Sequence, residues 1–225
     1  MIYHHHITEP ATLSERAYAD IRRMIVRLDL APGAVIREDS LQHELALGRT
    51  PIREALQRLA RDQFVTVISR RGMYVSSIDV GDLALLYETR AILEPYAMRL
   101  ACARHDDAMC DEMAAVLEQA QPGSSPDELL AIDRHCRELV WAAAGNRFLT
   151  DQLDNLYAHS DRLWHLYLGD VADLHDMIAE HREILLALRA RDAERAAQLI
   201  ESHMHRFDQQ IRAAVRQRLD SPLAG

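Results

Sequence analysis

The chain has 225 residues, 48% hydrophobic and 27% charged, which is enough for one large or two small globular domains and excludes wholesale disorder. It contains no run of eighteen apolar residues and no signal-peptide pattern, so we expect a cytoplasmic protein without a membrane segment. A net charge of −9 argues against a protein that coats nucleic acid with its whole surface. Cys102, Cys110 and Cys136 form no CxxC pair, which indicates reduced thiols.

The charge is divided unevenly along the chain. Residues 1–78 contain eleven arginines and nine acidic residues, whereas residues 79–225 contain fifteen arginines and twenty-six acidic residues. A mildly basic head therefore precedes a strongly acidic body. This division indicates that the N-terminal part is the one suited to an acidic partner.

Three short helices are predicted in the head. Thr12 and Glu15 form a capping-box pattern that opens the first helix. After a turn at 31–33, a second helix is expected around 40–46 and a third over roughly 50–62. Their inward faces are Ala17, Ile21, Met24, Ile25 and Leu28, then Leu41 and Leu45, then Ile52, Leu56 and Leu59.

The hydrophobic period then changes to that of strands. Residues 65–68 and 73–75 flank the sequence Ser-Arg-Arg-Gly at 69–72, which predicts a β-hairpin. Three short helices and a hairpin within about seventy residues are typical of a winged helix-turn-helix. We assign this α+β domain to residues 12–78.

Glycine and proline become rare in the acidic body, which predicts an all-α domain over residues 79–220 and a mainly α protein. A loop is expected at 121–126, and Pro95 is expected to kink or split the helix in which it lies. The expected helices cover 82–103, 105–120, 126–144, 147–168, 171–190 and 192–218.

The third helix carries polar residues on its solvent face. Arg49, Arg53 and Gln57 recur at every fourth position, opposite the apolar stripe, and Arg70 and Arg71 lie at the hairpin tip. Arginine can bind guanine in the major groove or clamp phosphates. An ordinary charged surface helix has the same spacing, so spacing alone leaves both readings open.

Four segments of the head carry a longer signature: LAPG at 30–33, LQHELALG at 41–48, RTPIREAL at 49–56 and RGMYV at 71–75. Together they resemble the winged helix of GntR-family transcription regulators. The resemblance implies that Arg49, Thr50 and Arg53 contact operator DNA and that Arg71 and Gly72 form the wing tip. Gly48 departs from the family, which usually has Ser or Thr there, so one hydroxyl cap is lost while glycine remains an acceptable cap.

The body also carries a signature: RAILE at 90–94, Asp133, AAGN at 143–146, EHR at 180–182 and His203. It resembles the ligand-sensing FCD domain of the FadR-like branch, and six helices place it with the VanR-like subgroup. In many such domains an aspartate and three histidines hold a divalent metal of the zinc or nickel type, which receives a carboxylate effector. Carried over, this implies metal ligands at Asp133, His181 and His203 and effector contacts at Arg90 and Asn146. Arg90 can equally form a helix salt bridge with Glu94, one turn away.

The spacing of the two histidines is compatible with a shared site. His181 and His203 are each eleven residues from Asp192, the expected cap of the last helix. In an antiparallel helix pair both would lie about 16 Å from the turn, opposite each other. Two core histidines and an aspartate bonded to a neighbouring amide would fit the same pattern.

Arg137 departs from the family, because it occupies the place of the fourth ligand, one turn after Asp133. Arginine cannot ligate a metal. Three protein ligands can still hold zinc, but Arg137 can equally pair with Asp133 in place of the metal or bind an effector carboxylate as a fork. In either case we expect an anionic effector.

These observations predict a transcription regulator, expected to be a repressor, that binds palindromic double-stranded operator DNA as a homodimer and responds to a small anionic metabolite. The alternative is a metal-dependent hydrolase fused to a DNA-binding head. No general base or nucleophile accompanies Asp133, His181 and His203 at a recognisable spacing, so we expect no enzymatic activity.

Overall fold

The computed structural model describes residues 12–167 and 174–220, and the chain divides into two compact units. The head unit comprises residues 12–79 and 158–166, and the body unit comprises residues 80–157, 167 and 174–220 of the described chain. The sequence predicts a frayed N-terminus over residues 1–11, which includes His4 to His6. These residues and the expected helix start at 171 lie outside the described residues.

The predicted mainly α fold is confirmed, with a winged helix-turn-helix in the head. The elements are α1 (Leu13–Val26), β1 (Val35–Ile36), α2 (Glu38–Leu45), α3 (Arg49–Arg61), β2 (Val65–Ile68) and β3 (Gly72–Val75). The three strands form an antiparallel sheet in the order β1-β3-β2, and the hairpin pairs Val65 with Val75. Sequence analysis missed β1 because two residues are too short to show a period.

Local signals explain where these elements begin and turn. The Thr12 side chain accepts a hydrogen bond from the Glu15 amide and caps α1. Gly48 is the N-cap of α3 and makes no side-chain cap bond. Gly72, at the hairpin turn, has a φ of +104°, a conformation that L side chains rarely adopt. The head core contains Ile21, Ile25, Ile52, Leu56, Leu59 and Phe64, all fully buried.

Residues 158–166 complete the head unit. The His159 ring stacks on Phe64 with centroids 4.1 Å apart, and its Nε2 lies 2.9 Å from the Asp62 carbonyl oxygen. Arg162 donates to the Ser76 carbonyl oxygen at 2.5 Å, and burial lowers the pKa of Arg162 to about 10. Three contacts of two side chains, His159 and Arg162, thus fix this segment to the chain just after α3 and to the chain after the wing.

The body unit contains six helices within the described residues. One of them was expected to be disturbed by Pro95, but the helix continues through this residue without a break. Pro95 is buried in a helix that packs against two others, so tertiary packing outweighs the lost backbone hydrogen bond. The helices are α4 (Val80–Arg104), α5 (Asp107–Leu117), α6 (Pro126–Ala144), α7 (Arg147–Tyr167), α8 (His175–Arg189) and α9 (Ala193–Asp220).

Caps set the register of the helices that carry the polar side chains of the body. Ser125 and Glu128 form a capping box at the start of α6, and Gly145 ends that helix with a φ of +61°. The Asp192 side chain accepts from the Arg195 amide, as expected for the cap of the last helix. No helix within 12–167 or 174–220 is long and apolar enough to cross a membrane.

Candidate functional sites

The exposed face of α3 presents two guanidinium groups near its N-terminus. The side chains of Arg49 and Arg53 are 68% and 57% exposed. Glu38, in the first turn of α2, lies 3.6 Å from Nε of Arg49 and 3.5 Å from Nε of Arg53. One carboxylate thus holds both guanidiniums over the same face, a contact that sequence analysis missed because it joins two helices.

The remaining residues that sequence analysis expects at the DNA surface are also exposed to solvent. Thr50 is exposed in the first turn of α3, and Arg71 and Gly72 are exposed in the turn of the wing. The Tyr74 hydroxyl donates to the Arg71 carbonyl oxygen at 3.2 Å, which braces the turn. The head therefore offers cations on a helix start and on a hairpin tip, the two features with which a winged helix contacts a duplex.

The body encloses a cluster of buried polar side chains, which we name the polar core. Its members come from α4, α6, α7, α8 and α9, and each is at most 6% exposed. Such a cluster inside an apolar bundle requires partners for every charge. The polar core consists of Arg90, Glu94, Asp133, Arg137, Tyr157, His181 and His203.

Asp133 is the hub of the polar core and is fully buried. Arg137 Nε lies 3.2 and 3.0 Å from its two oxygens, the Tyr157 hydroxyl donates to Oδ2 at 2.9 Å, and His181 Nε2 lies 2.6 Å from Oδ1. Burial alone would raise the pKa of Asp133, but the Arg137 guanidinium and the His181 hydrogen bond hold it well below its ordinary value. The carboxyl group is therefore ionised.

Arg137 links this hub to α4. Its Nη1 donates to Glu94 at 2.5 Å, and Glu94 also accepts from Arg90 Nε at 2.8 Å. Burial opposes ionisation of Glu94, but Arg137 and Arg90 lower its pKa. The row Arg90, Glu94, Arg137, Asp133 alternates in sign and holds two positive and two negative charges.

The two histidines meet as their spacing suggested. The His181 and His203 ring centroids are 4.8 Å apart, and His203 Nε2 lies 3.3 Å from Asp133 Oδ1. His203 Nδ1 lies 2.6 Å from Glu180, which also forms an ion pair with Arg206. Within the described chain, His181 Nδ1 and His203 Nε2 are buried without a hydrogen-bond partner.

Sequence analysis found only part of this arrangement. It linked Arg90 with Glu94, and Asp133 with Arg137, because each pair is one helical turn apart. It missed Tyr157 and the second role of Glu94, since both contacts cross between helices. Asn146, expected to contact the effector, caps the start of α7, where its side-chain oxygen accepts a hydrogen bond from the Leu149 amide.

A small cavity adjoins the polar core. Arg137, Glu94 and His181 form its polar side, and the other lining residues are mostly apolar. The cavity has room for about one water molecule, so a small ligand with one ionic group could enter it only if the surrounding side chains moved. The other lining residues are Met98, Cys136, Val140, Trp141, Ile184 and Ile200.

The donor set does not fit a divalent metal in this arrangement. Asp133, His181 and His203 do come together, with one ligand atom of each lying within 4.8 Å of the others. However, the place of a fourth ligand holds Arg137, whose cationic group is bonded to both oxygens of Asp133. A metal would have to displace that contact and the His181 hydrogen bond.

A winged helix joined to an all-helical body is the organisation of one class of transcription regulators. The family of bacterial regulatory proteins named gntR matches residues 13–75, and the FCD domain matches residues 85–206. The chain belongs to the GntR family, in the branch that carries an FCD domain. It is therefore a transcription regulator and not an enzyme, and the hydrolase alternative has no support.

Several regulators match this chain in sequence along most of their own length. The Nta operon transcriptional regulator of Aminobacter aminovorans is 30% identical over 198 residues, covering 86% of this chain and 91% of its own. The transcriptional repressor RspR of Escherichia coli K12 is 24% identical over 208 residues, covering 91% of this chain and 90% of its own. The structure of Escherichia coli McbR/YncC has the same fold, with a TM-score of 0.81 and 23% identity. The match covers 92% of this chain and 99% of that chain.

The buried position of Arg137 predicts a large effect on stability. Arg137→Met leaves Asp133 and Glu94 buried without this cation and should lower the free energy of unfolding by about 3–5 kcal/mol. The matched control is Arg99→Met, which removes an exposed, bidentate pair with Glu194 and should cost about 0–1 kcal/mol. Urea unfolding measures both variants, and equal losses would contradict the assigned importance of the polar core.

Proposed function

We propose that this regulator is a homodimeric repressor that binds palindromic operator DNA through α3 and the wing, and that a small carboxylate effector controls this binding from the body. The observation that carries the effector proposal is the polar core beside a small cavity in an otherwise apolar bundle. A bacterial regulator of operator DNA acts where the chromosome lies, so we infer a cytoplasmic location.

The DNA contact is proposed for the exposed arginines of α3. A helix start carrying two guanidiniums suits the major groove, where arginine binds guanine O6 and N7 in a bidentate manner. Glu38 lies within 3.6 Å of both guanidiniums and restricts their rotamers in free protein. On binding, the bases and phosphates would replace this carboxylate, while Thr50, Arg71 and Gly72 contact the backbone and the adjacent groove.

Replacement of the α3 arginines should weaken operator binding. Arg49→Ala and Arg53→Ala should each cost roughly 1–3 kcal/mol, because each removes a contact to a base edge. Arg61→Ala, at the exposed far end of the same helix, is the matched control and should change the affinity little. Gel-shift titrations at several salt concentrations measure this, and an unchanged Arg49→Ala/Arg53→Ala double variant would contradict the assignment.

The dimer is proposed because one winged helix contacts only a short half-site and two-fold symmetry doubles the contacts. On α4, three large apolar side chains lie on one exposed face at spacings of seven and four residues: Leu85, Ile92 and Tyr96, which are 61%, 71% and 52% exposed. An apolar stripe of this kind is suited to association with an identical stripe of a second copy. Two further exposed residues, Glu88 and Thr89, lie on this face between Leu85 and Ile92, so the stripe carries one charge.

A charge within this stripe should separate the dimer. Ile92→Glu would place two carboxylates against an apolar surface and should yield a monomer at micromolar concentration. The control is Leu186→Glu, which changes an equally exposed leucine on α8 and should leave the dimer intact. Light scattering with size-exclusion chromatography measures the mass. A dimeric Ile92→Glu variant, or a monomeric parent, would contradict the proposal.

The effector proposal depends on how charge is arranged around the cavity. Every charge in the row from Arg90 to Asp133 already has an internal partner, so an entering carboxylate must exchange with Glu94 or Asp133 at Arg137. Glu94 stands on α4, half a turn from Ile92 and Tyr96 along the same helix. Such an exchange would therefore move α4, the helix that carries the proposed dimer stripe. Through the dimer, this movement would change the half-site spacing that the two heads fit.

Small carboxylic acids should be distinguished from their uncharged amides. In thermal-shift titrations, at least one acid of a panel of aliphatic and aromatic monocarboxylates should raise the melting temperature of the wild-type protein, whereas its matched primary amide should not. The shift should disappear in Arg137→Met and persist in Arg99→Met. Native mass spectrometry of the purified protein identifies a ligand that is already bound. A neutral or cationic effector would defeat the proposal.

A further inference from the structure

We propose that the guanidinium of Arg137 takes the place of a metal ion, so that this regulator senses its effector without a metal and the acid group of the effector meets a side-chain cation directly. This inference rests on the proposed effector site and specifies how that site recognises its ligand. It separates the chain from FCD domains in which an aspartate and three histidines hold a metal.

The first support is the occupancy of Asp133. Arg137 Nε is bonded to both carboxylate oxygens, while Tyr157 uses Oδ2 and His181 uses Oδ1. A carboxylate offers about four lone-pair sites, and these contacts use them. A metal could bind Asp133 only by displacing a hydrogen bond to a buried charged group, at a cost of a few kcal/mol.

The second support is the charge balance. The guanidiniums of Arg90 and Arg137 offset the carboxylates of Glu94 and Asp133, and all four groups are at most 6% exposed. A divalent ion would add two positive charges to a buried cluster that is already neutral, and such charge is strongly disfavoured. The next carboxylate, Glu180, already has Arg206 and His203 as partners.

The third support is that Arg137 is held from two sides. Nε bonds Asp133 on its own helix, and Nη1 bonds Glu94 on α4. If the guanidinium turned away to make room for a metal, Glu94 would lose its bond to Arg137 in a buried site. The metal and this arginine are therefore alternatives, since a cation and a guanidinium repel each other strongly at short range.

The fourth support is that His203 has the surroundings of a metal-binding histidine. His203 is oriented by Glu180 behind its Nδ1, and its Nε2 faces Asp133 without a hydrogen bond. A carboxylate behind an imidazole is the usual second partner of a metal-binding histidine. A single change that removes the guanidinium and adds a donor at residue 137 should therefore produce a metal site.

Zinc binding by four proteins tests the inference: wild type, Arg137→His, Arg137→Gln and the control Arg99→His. Each is stripped with EDTA, dialysed and titrated with Zn²⁺ against a chromophoric chelator, with elemental analysis and melting temperature as further readouts. Arg137→His should bind one zinc per chain, roughly 100-fold or more tightly than wild type. Zinc should also raise the melting temperature of Arg137→Gln, because the metal then replaces the lost cation. Wild type and Arg99→His should show neither effect.

Two results would overturn the inference, and the first of them needs no variant. One is wild-type protein that purifies with one transition metal per chain; the other is stripped wild type that binds Zn²⁺ as tightly as Arg137→His. Different results would contradict the proposed function. If the wild type is metal-free and no carboxylate shifts its melting temperature in EDTA, the effector class is wrong while the inference stands. If carboxylates act only when zinc is present, the inference is wrong while the effector class stands.

Discussion

The buried pair of Arg137 and Asp133 is the interaction around which the body is organised. Asp133 joins α6 to α7 through Tyr157 and to α8 through His181, and Arg137 joins the same helix to α4 through Glu94. Four helices thus meet at one ionised carboxylate and one guanidinium. Removing either group leaves a buried charge behind, which costs far more than losing an exposed ion pair.

A buried ionic cluster contributes little net stability, because desolvation offsets much of the attraction between the charges. An entering carboxylate can replace one internal carboxylate at the Arg137 guanidinium, and the displaced carboxylate must then find another partner or water. In the proposed mechanism this exchange makes the cluster selective for acids, because a neutral or cationic molecule offers Arg137 no carboxylate.

Arginine has different proposed roles in the head and in the body because its environment differs. Arg49 is mostly exposed and contacts Glu38 at 3.6 Å, so its guanidinium is available to a polyanion. Arg137 is 2% exposed and bonded to two carboxylates, so it is available only to a ligand that enters the protein. Exposure thus separates the proposed DNA contact from the proposed effector contact more clearly than charge does.

The sequence determined most of the elements and pointed to five of the seven residues of the polar core. The helical period, the caps at Thr12 and Asp192 and the string RTPIREAL predicted the winged helix and six body helices, because these features act over a few residues. One-turn spacing linked Arg137 to Asp133. The tertiary structure alone decided that Glu94 and Tyr157 complete the cluster and that α4 continues through Pro95. Pairing between distant helices depends on packed side-chain geometry, which no local period encodes.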